Sequence, residues 1–138
     1  MDTNELQYKG EKFSIRWDPK EGIFFIEEWG VHDKNDAVDF VKNMNEMIDK
    51  TGIKILYALI DVSRQKTTDH EARRLYNQWL IDKPMPAYAA ICGGNALVRL
   101  IINFILAATS NKNKMAKIRM FAAAEEGLEW LKEIRAKK

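Results

Sequence analysis

Lys54-Ile55-Leu56-Tyr57-Ala58-Leu59-Ile60-Asp61-Val62 is almost unbroken in apolar side chains. Such a short run, set after a helical pattern, reads as a strand covered on both faces. A strand of that kind belongs in a parallel sheet with helices packed over it, so the segments on either side should alternate between helix and strand.

The upstream segments do so. Ala37, Phe40, Val41, Met44, Met47 and Ile48 fall on one helical stripe. Asp33, Asn35 and Asp36 offer caps and acidic charge at its start, and Lys50-Thr51-Gly52 offers a basic last turn and a stop. Before it, Phe13-Ser14-Ile15-Arg16-Trp17 alternates apolar and polar, as a half-exposed strand does. Asp18-Pro19-Lys20-Glu21-Gly22 is a turn, and a return strand starts at Ile23 and runs to about Trp29, where Gly30 breaks it. The first ten residues are polar and are expected to be loose.

Downstream, Ser63-Arg64-Gln65-Lys66-Thr67 reads as a polar loop. Thr68-Asp69-His70-Glu71 matches a capping box, with Thr68 as N-cap and Glu71 reaching back. Ala72, Leu75, Tyr76, Trp79 and Leu80 form the next helical stripe, which Pro84 and Pro86 end. Ala87-Tyr88-Ala89-Ala90-Ile91-Cys92 is a strand of mostly small residues that would let a helix approach closely. Gly93-Gly94-Asn95 turns into an apolar helix that extends to about Thr109, with Asn95 as its cap. A polar loop, a strand over residues 117–122 and a helix over residues 125–135 complete the chain. The order β-β-α-β-α-β-α-β-α predicts one α/β domain over residues 1–138. Its five-stranded sheet is mostly parallel, with an antiparallel strand at the N-terminal edge.

The 138 residues suit a single domain of ~100–200 residues. With 46% apolar and 30% charged residues the chain is an ordinary globular one rather than a disordered one. Its single cysteine, Cys92, excludes an intrachain disulfide and a multi-cysteine metal site. Net charge is +2, too balanced for a dedicated nucleic-acid domain, so no nucleic-acid partner is expected. The charge is uneven along the chain: −5 over residues 1–50 and +7 over residues 51–138. No apolar run follows a basic start, and a cytoplasmic protein with a reduced thiol is expected.

The second half resembles the STAS fold of anti-sigma-factor antagonists, and within it the SpoIIAA-like (STAS/SEC14-type) branch. The resemblance is carried by Leu59-Ile60-Asp61-Val62-Ser63 and by Val98-Arg99-Leu100-Ile101-Ile102-Asn103-Phe104. Most clearly, it is carried by Ile118-Arg119-Met120-Phe121 followed by Ala124-Glu125-Glu126-Gly127-Leu128-Glu129-Trp130-Leu131. It covers residues 11–136. It implies a non-catalytic regulatory or protein-interaction module, as in bacterial signalling. In the antagonist branch a serine within Asp-Ser-x-Gly is phosphorylated at the start of the helix after the central strand. The corresponding Thr67-Thr68-Asp69-His70-Glu71-Ala72 has neither the Asp-Ser pair nor the glycine. The interaction or switch loop is therefore placed more broadly on Ser63, Arg64, Thr67, Thr68, Asp69 and His70.

No catalytic constellation, metal set or cofactor motif is found. His70 with its acidic neighbours lacks an oriented partner, and Gly93-Gly94 lacks the rest of a phosphate-binding loop. Cys92 reads as a small buried hydrophobe and His32-Asp33 as a helix start. The helix after Asn95 is apolar around more than one face, with a basic flank after it. Val98, Ile101, Ile102 and Ile105 are candidates for a dimer or ligand surface. The partners expected are an unidentified protein, a second copy of the chain, or a small apolar or lipid-like molecule. Such a molecule would lie between the third and fourth helices and the sheet, and a membrane surface is a further candidate.

Overall fold

The computed structural model describes residues 6–112 and 114–137, leaving out the side chains of residues 105 and 108–111. Ten elements follow one another: β1 (Leu6–Lys9), β2 (Phe13–Asp18), β3 (Ile23–His32), α1 (Lys34–Thr51), β4 (Leu56–Thr68), α2 (His70–Ile81), β5 (Ala87–Cys92), α3 (Ala96–Lys112), β6 (Ala116–Phe121) and α4 (Ala124–Ala136). They form one six-stranded sheet whose strand order is the chain order. β1, β2 and β3 are antiparallel, and β3 through β6 are parallel.

The α/β fold is the expected one, with one strand more. Residues 6–9 lie in the segment expected to be loose, yet they pair in register with residues 14–17. The antiparallel edge is therefore β1, with β2 inside it. Only Leu6 and Tyr8 carry the inward alternation of this strand, and a tertiary contact fixes it: Tyr8 Oη donates to the Asp39 carboxylate of α1 at 2.9 Å.

Strand order dictates the helix layers. Each crossover from β3 to β6 advances in the same direction, so right-handed connections lay α1, α2 and α3 on one face. On that face Phe13, Ile15, Phe24, Ile26, Phe40 and Met44 form the largest core, and Val98 of α3 packs with Val62 and Ile91. α4 covers the opposite face, where Leu131 meets Ile23, Leu59 and Ala90. The small residues of β5 do let a helix approach: a Cβ on Gly127 of α4 would stand 3.0 Å from Ala90 Cβ and from Leu59 Cδ1.

Two helix starts follow the sequence and one departs from it. The Asp33 side chain accepts from Asp36 N at 3.0 Å, and Asp36 returns the bond to Asp33 N at 2.9 Å. Asn95 accepts from Val98 N at 2.9 Å. At α2, however, the cap is Asp69, which accepts from Ala72 N at 2.8 Å, while Thr68 is the last residue of β4. Either residue suits an N-cap, and the strand ladder decides between them, because Thr68 pairs with His32.

Candidate functional site

β4 is longer than the apolar run that reveals it. Its pairing with β5 stops at Asp61–Cys92, but it continues to Thr68 beside β3 alone. The ladder there is interrupted by register shifts between Glu27 and Trp29 and between Gly30 and Val31. Such bulges break the two-residue period, and the inward side chains of this arm are Val62, Gln65 and Thr68. The segment expected as a loop is thus a strand. Ser63 donates its hydroxyl to Asp61 Oδ1 at 2.6 Å, and Arg64 pairs with Glu27 at 3.0 Å. Thr67 is half-buried, and His70 is exposed at the start of α2.

A sheet with sequential strand order has no point where neighbouring crossovers diverge, so the usual crevice at the strand tips is missing. The cavity lies instead under the helix layer. It measures about 110 Å³ and is bounded by β3 to β6 below and by α1, α2 and α3 above. Ile26, Ala58, Ile60, Ala89, Ile91 and Ile118 form its floor, with Phe40, Met44, Trp79 and Ile101 over them. Half-buried Leu80, Ile102 and Leu106 lie where α2 approaches α3. The ligand space expected between the third and fourth helices does not exist as such, because α3 and α4 cover opposite faces.

The cavity surface is almost wholly apolar, and the lining residues that carry polar groups gather at one end of it. Glu28, Gln65, Thr68 and Tyr76 all line it. Glu28 and Gln65 come from the carboxyl-terminal halves of β3 and β4, whereas Leu56 and Ala87, which open β4 and β5, line the apolar end. Behind the polar end His32 is fully buried. Its Nε2 lies 2.9 Å from the Lys12 carbonyl, which only accepts, so that nitrogen carries the proton. Nδ1 is then an acceptor, and Tyr76 Oη, 2.7 Å away, donates to it. Burial holds the imidazole below its ordinary pKa, which keeps it in this neutral form. Gln65 Nε2 donates to Thr68 Oγ1 at 3.2 Å.

Glu28 differs from these neighbours. It is 8% exposed, and burial raises its pKa to about 7. Among the described residues its carboxyl makes no hydrogen bond, and His32 Nδ1 stands 3.7 Å away, beyond hydrogen-bond range. Half-buried Tyr76 has its pKa raised first by desolvation and next by the charge of Glu28. Neither Glu28 nor His32 is among the sequence candidates, although the alternation that turns Phe24 and Ile26 inward turns Glu28 inward as well.

The remaining candidates separate. Val98 is buried against Val62 and Ile91, and Ile101 and Ile102 line the cavity. The side chain of Ile105 is outside those described. As a pairing surface, Val98 and Ile101 are displaced by Leu97, Leu100 and Phe104, which are 53%, 55% and 71% exposed. Cys92 is buried, and burial pushes its thiol up to about 11, leaving little thiolate at neutral pH. Gly93 makes the tight turn expected of it, at φ +80. Among the described residues no three His, Cys, Asp or Glu side chains are grouped to hold a metal ion. No helix of the described residues is long and apolar enough to cross a membrane. A second depression of about 620 Å³ lies on the α4 face, floored by Arg16, Phe25, Glu27 and Asp61.

Among solved structures, the chain is similar to an uncharacterised protein of the DUF3478 family with a SpoIIAA-like fold from Shewanella loihica PV-4. The TM-score is 0.60 and the identity 15%, over 92% of this chain and 91% of that one. This likeness establishes the SpoIIAA-like fold. No curated protein matches the chain. The family model that does match spans residues 20–135, and the chain belongs to that family, DUF7793, a domain of unknown function.

Proposed function

We propose that this domain is a non-catalytic, STAS-like binding module of the cytoplasm that holds a small apolar or amphiphilic molecule under α1, α2 and α3. The observation that carries the reading is the apolar cavity of about 110 Å³ with polar side chains gathered at one end. Cavities of roughly this size, ~150 Å³ in an engineered case, take up benzene or xenon when their lining is apolar. The cavity walls are also the inner faces of α2 and α3, so an occupant would bear on helices whose outer faces meet solvent. That gives a regulatory module its input and its output on the same elements.

Native mass spectrometry of the purified chain, together with thermal unfolding in the presence of benzene, tests this reading. Benzene should raise the Tm of the wild type and leave that of Ala89→Leu unchanged, because a leucine there fills the cavity. An unchanged wild-type Tm, with no retained ligand, removes the reading.

Self-association is a second reading. It rests on Leu97, Leu100 and Phe104, whose spacing puts them on one exposed stripe of α3. A monomer by sedimentation at high concentration removes it.

A further inference from the structure

We propose that the exposed flank of α3, together with the basic end it runs into, docks an acidic amphipathic helix of a partner protein. This goes beyond the cavity reading, and it gives the outer stripe of α3 an occupant other than a second copy.

The stripe lies at the open end of the helix layer. α1, α2 and α3 follow the strand order, so α3 is the last of them. At 3.6 residues per turn, Val98 and Ile101 face the sheet while Ile102 and Leu106 turn to the α2 side. Leu97, Leu100 and Phe104 fall on the opposite flank, and all three are exposed. Beneath α3 runs β6, the edge strand, where Ile118 and Met120 are half-buried and pack toward Val98. Flank and edge form an apolar step at the place where a further helix of this layer would sit. The stripe has the i, i+3, i+7 spacing by which one helix reads another.

Charge identifies the occupant. No Asp or Glu occurs between Asp82 and Glu125, although the chain holds 20 of them. The same stretch carries Arg99 on α3, Lys112 and Lys114 where α3 gives way to β6, and Lys117 and Arg119 on the edge strand. Elsewhere bases are matched: Lys12, Lys34, Arg64 and Lys132 each pair with an acid. Among the described residues Lys112, Lys117 and Arg119 make no ion pair, and all three are exposed. A second copy pairing by the same flank would set bases against bases. A helix with leucine-type residues on one face and acids beside them would meet both the stripe and the charge.

A bilayer fits the same surface less well. The outermost line of α3 is Ala96, Arg99, Asn103 and Ala107, which are small or polar. A helix lying in a membrane surface turns its large apolar residues to the lipid, whereas here they stand to one side, over the sheet edge.

The test uses two labelled helical peptides of about 18 residues, with the same leucines and with either Glu or Lys at every charged position. Fluorescence anisotropy follows their binding to the full chain as wild type, Phe104→Glu and the double variant Lys112→Glu/Lys117→Glu. Each change is at an exposed side chain, and circular dichroism checks the folds. The Glu peptide is expected to bind wild type at least tenfold more tightly than the Lys peptide, with the margin lost in about 1 M salt. The double variant should invert the preference. Phe104→Glu should weaken the Glu peptide at least tenfold and leave the benzene response of the cavity unchanged, so the two readings fail separately. Equal binding of the two peptides, binding of neither, or a margin untouched by both variants overturns the assignment. So does a dimer that Phe104→Glu dissociates, or a chain that takes neither peptide but pellets through Phe104 with vesicles of phosphatidylglycerol and phosphatidylcholine.

Discussion

Tyr76 of α2 donates its hydroxyl proton to Nδ1 of His32, the last residue of β3, across 2.7 Å. The two residues are 44 positions apart, and one of them is wholly enclosed. The bond fixes α2 over the arm that β3 and β4 form beyond the rest of the sheet. It also decides which atoms at that end can accept.

Removing the donor tests this bond. In Tyr76→Phe, His32 Nδ1 is left as a buried acceptor without its partner, at a cost of about 1–3 kcal/mol. Urea unfolding should show that loss, and nitrogen chemical shifts of His32 should still report a proton on Nε2, since the Lys12 carbonyl remains. A loss of only a few tenths would mean that the hydroxyl does not make the contact.

Glu28 should make wild-type stability fall as the pH rises. Its folded pKa of about 7 lies above the ordinary 4.5, so between these values the folded chain binds the proton that the unfolded chain has released. The penalty grows across that window and is constant above it, reaching about 3 kcal/mol. His32 acts oppositely, because its depressed pKa costs stability as the pH falls below its ordinary 6.5. The difference between Glu28→Gln and wild type isolates the carboxyl. The variant should be the more stable at pH 8 and equal to wild type below pH 4.5. A difference independent of pH contradicts this.

The cap of α2 can be assigned by two substitutions at one position. Asp69→Ala should cost about 1 kcal/mol in denaturant unfolding, and Asp69→Asn only a few tenths, because asparagine keeps the accepting oxygen. Equal costs would mean that the negative charge, rather than the hydrogen bond, is what matters.

Gly93 sits at φ +80, and a Cβ there would come within 2.7 Å of Ser63 Cβ and 2.9 Å of Ser63 Cα. Gly93→Ala therefore meets both backbone strain, about 1–2 kcal/mol, and a clash with β4. Thermal unfolding should show a loss exceeding the strain alone. A neutral substitution would mean that this turn can rearrange.

On α3, Phe104→Glu should leave the chain folded, since the ring is already mostly in solvent. Ile101→Glu should unfold it by burying a charge beside the cavity. Circular dichroism separates the two, and a folded Ile101→Glu would show that α3 can detach from the sheet.

The periodicities of residues 13–62 are legible because each has a single cause: one buried face per helix, two buried faces per central strand. β1 is hidden because two apolar residues make no pattern until Tyr8 finds Asp39. The far end of β4 is hidden because its inward residues are polar and the register shifts opposite it disrupt the alternation. The polar end of the cavity is harder still. Glu28, His32, Gln65 and Tyr76 come from three elements and meet only once the sheet and helix layer are assembled. A glutamate in phase with Phe24 and Ile26 is the one local sign of it.

Sequential strand order bears on how the chain comes to be folded during synthesis. Every strand from β2 onward is laid beside the one made just before it, so a nascent chain leaving the ribosome never has to separate strands already paired to admit a later one. Each intermediate length ends in one open edge, and the next βα unit fills it. The growth stops at β6, where Lys117 and Arg119 are exposed along the final edge. Charge in that position discourages another chain from continuing the series.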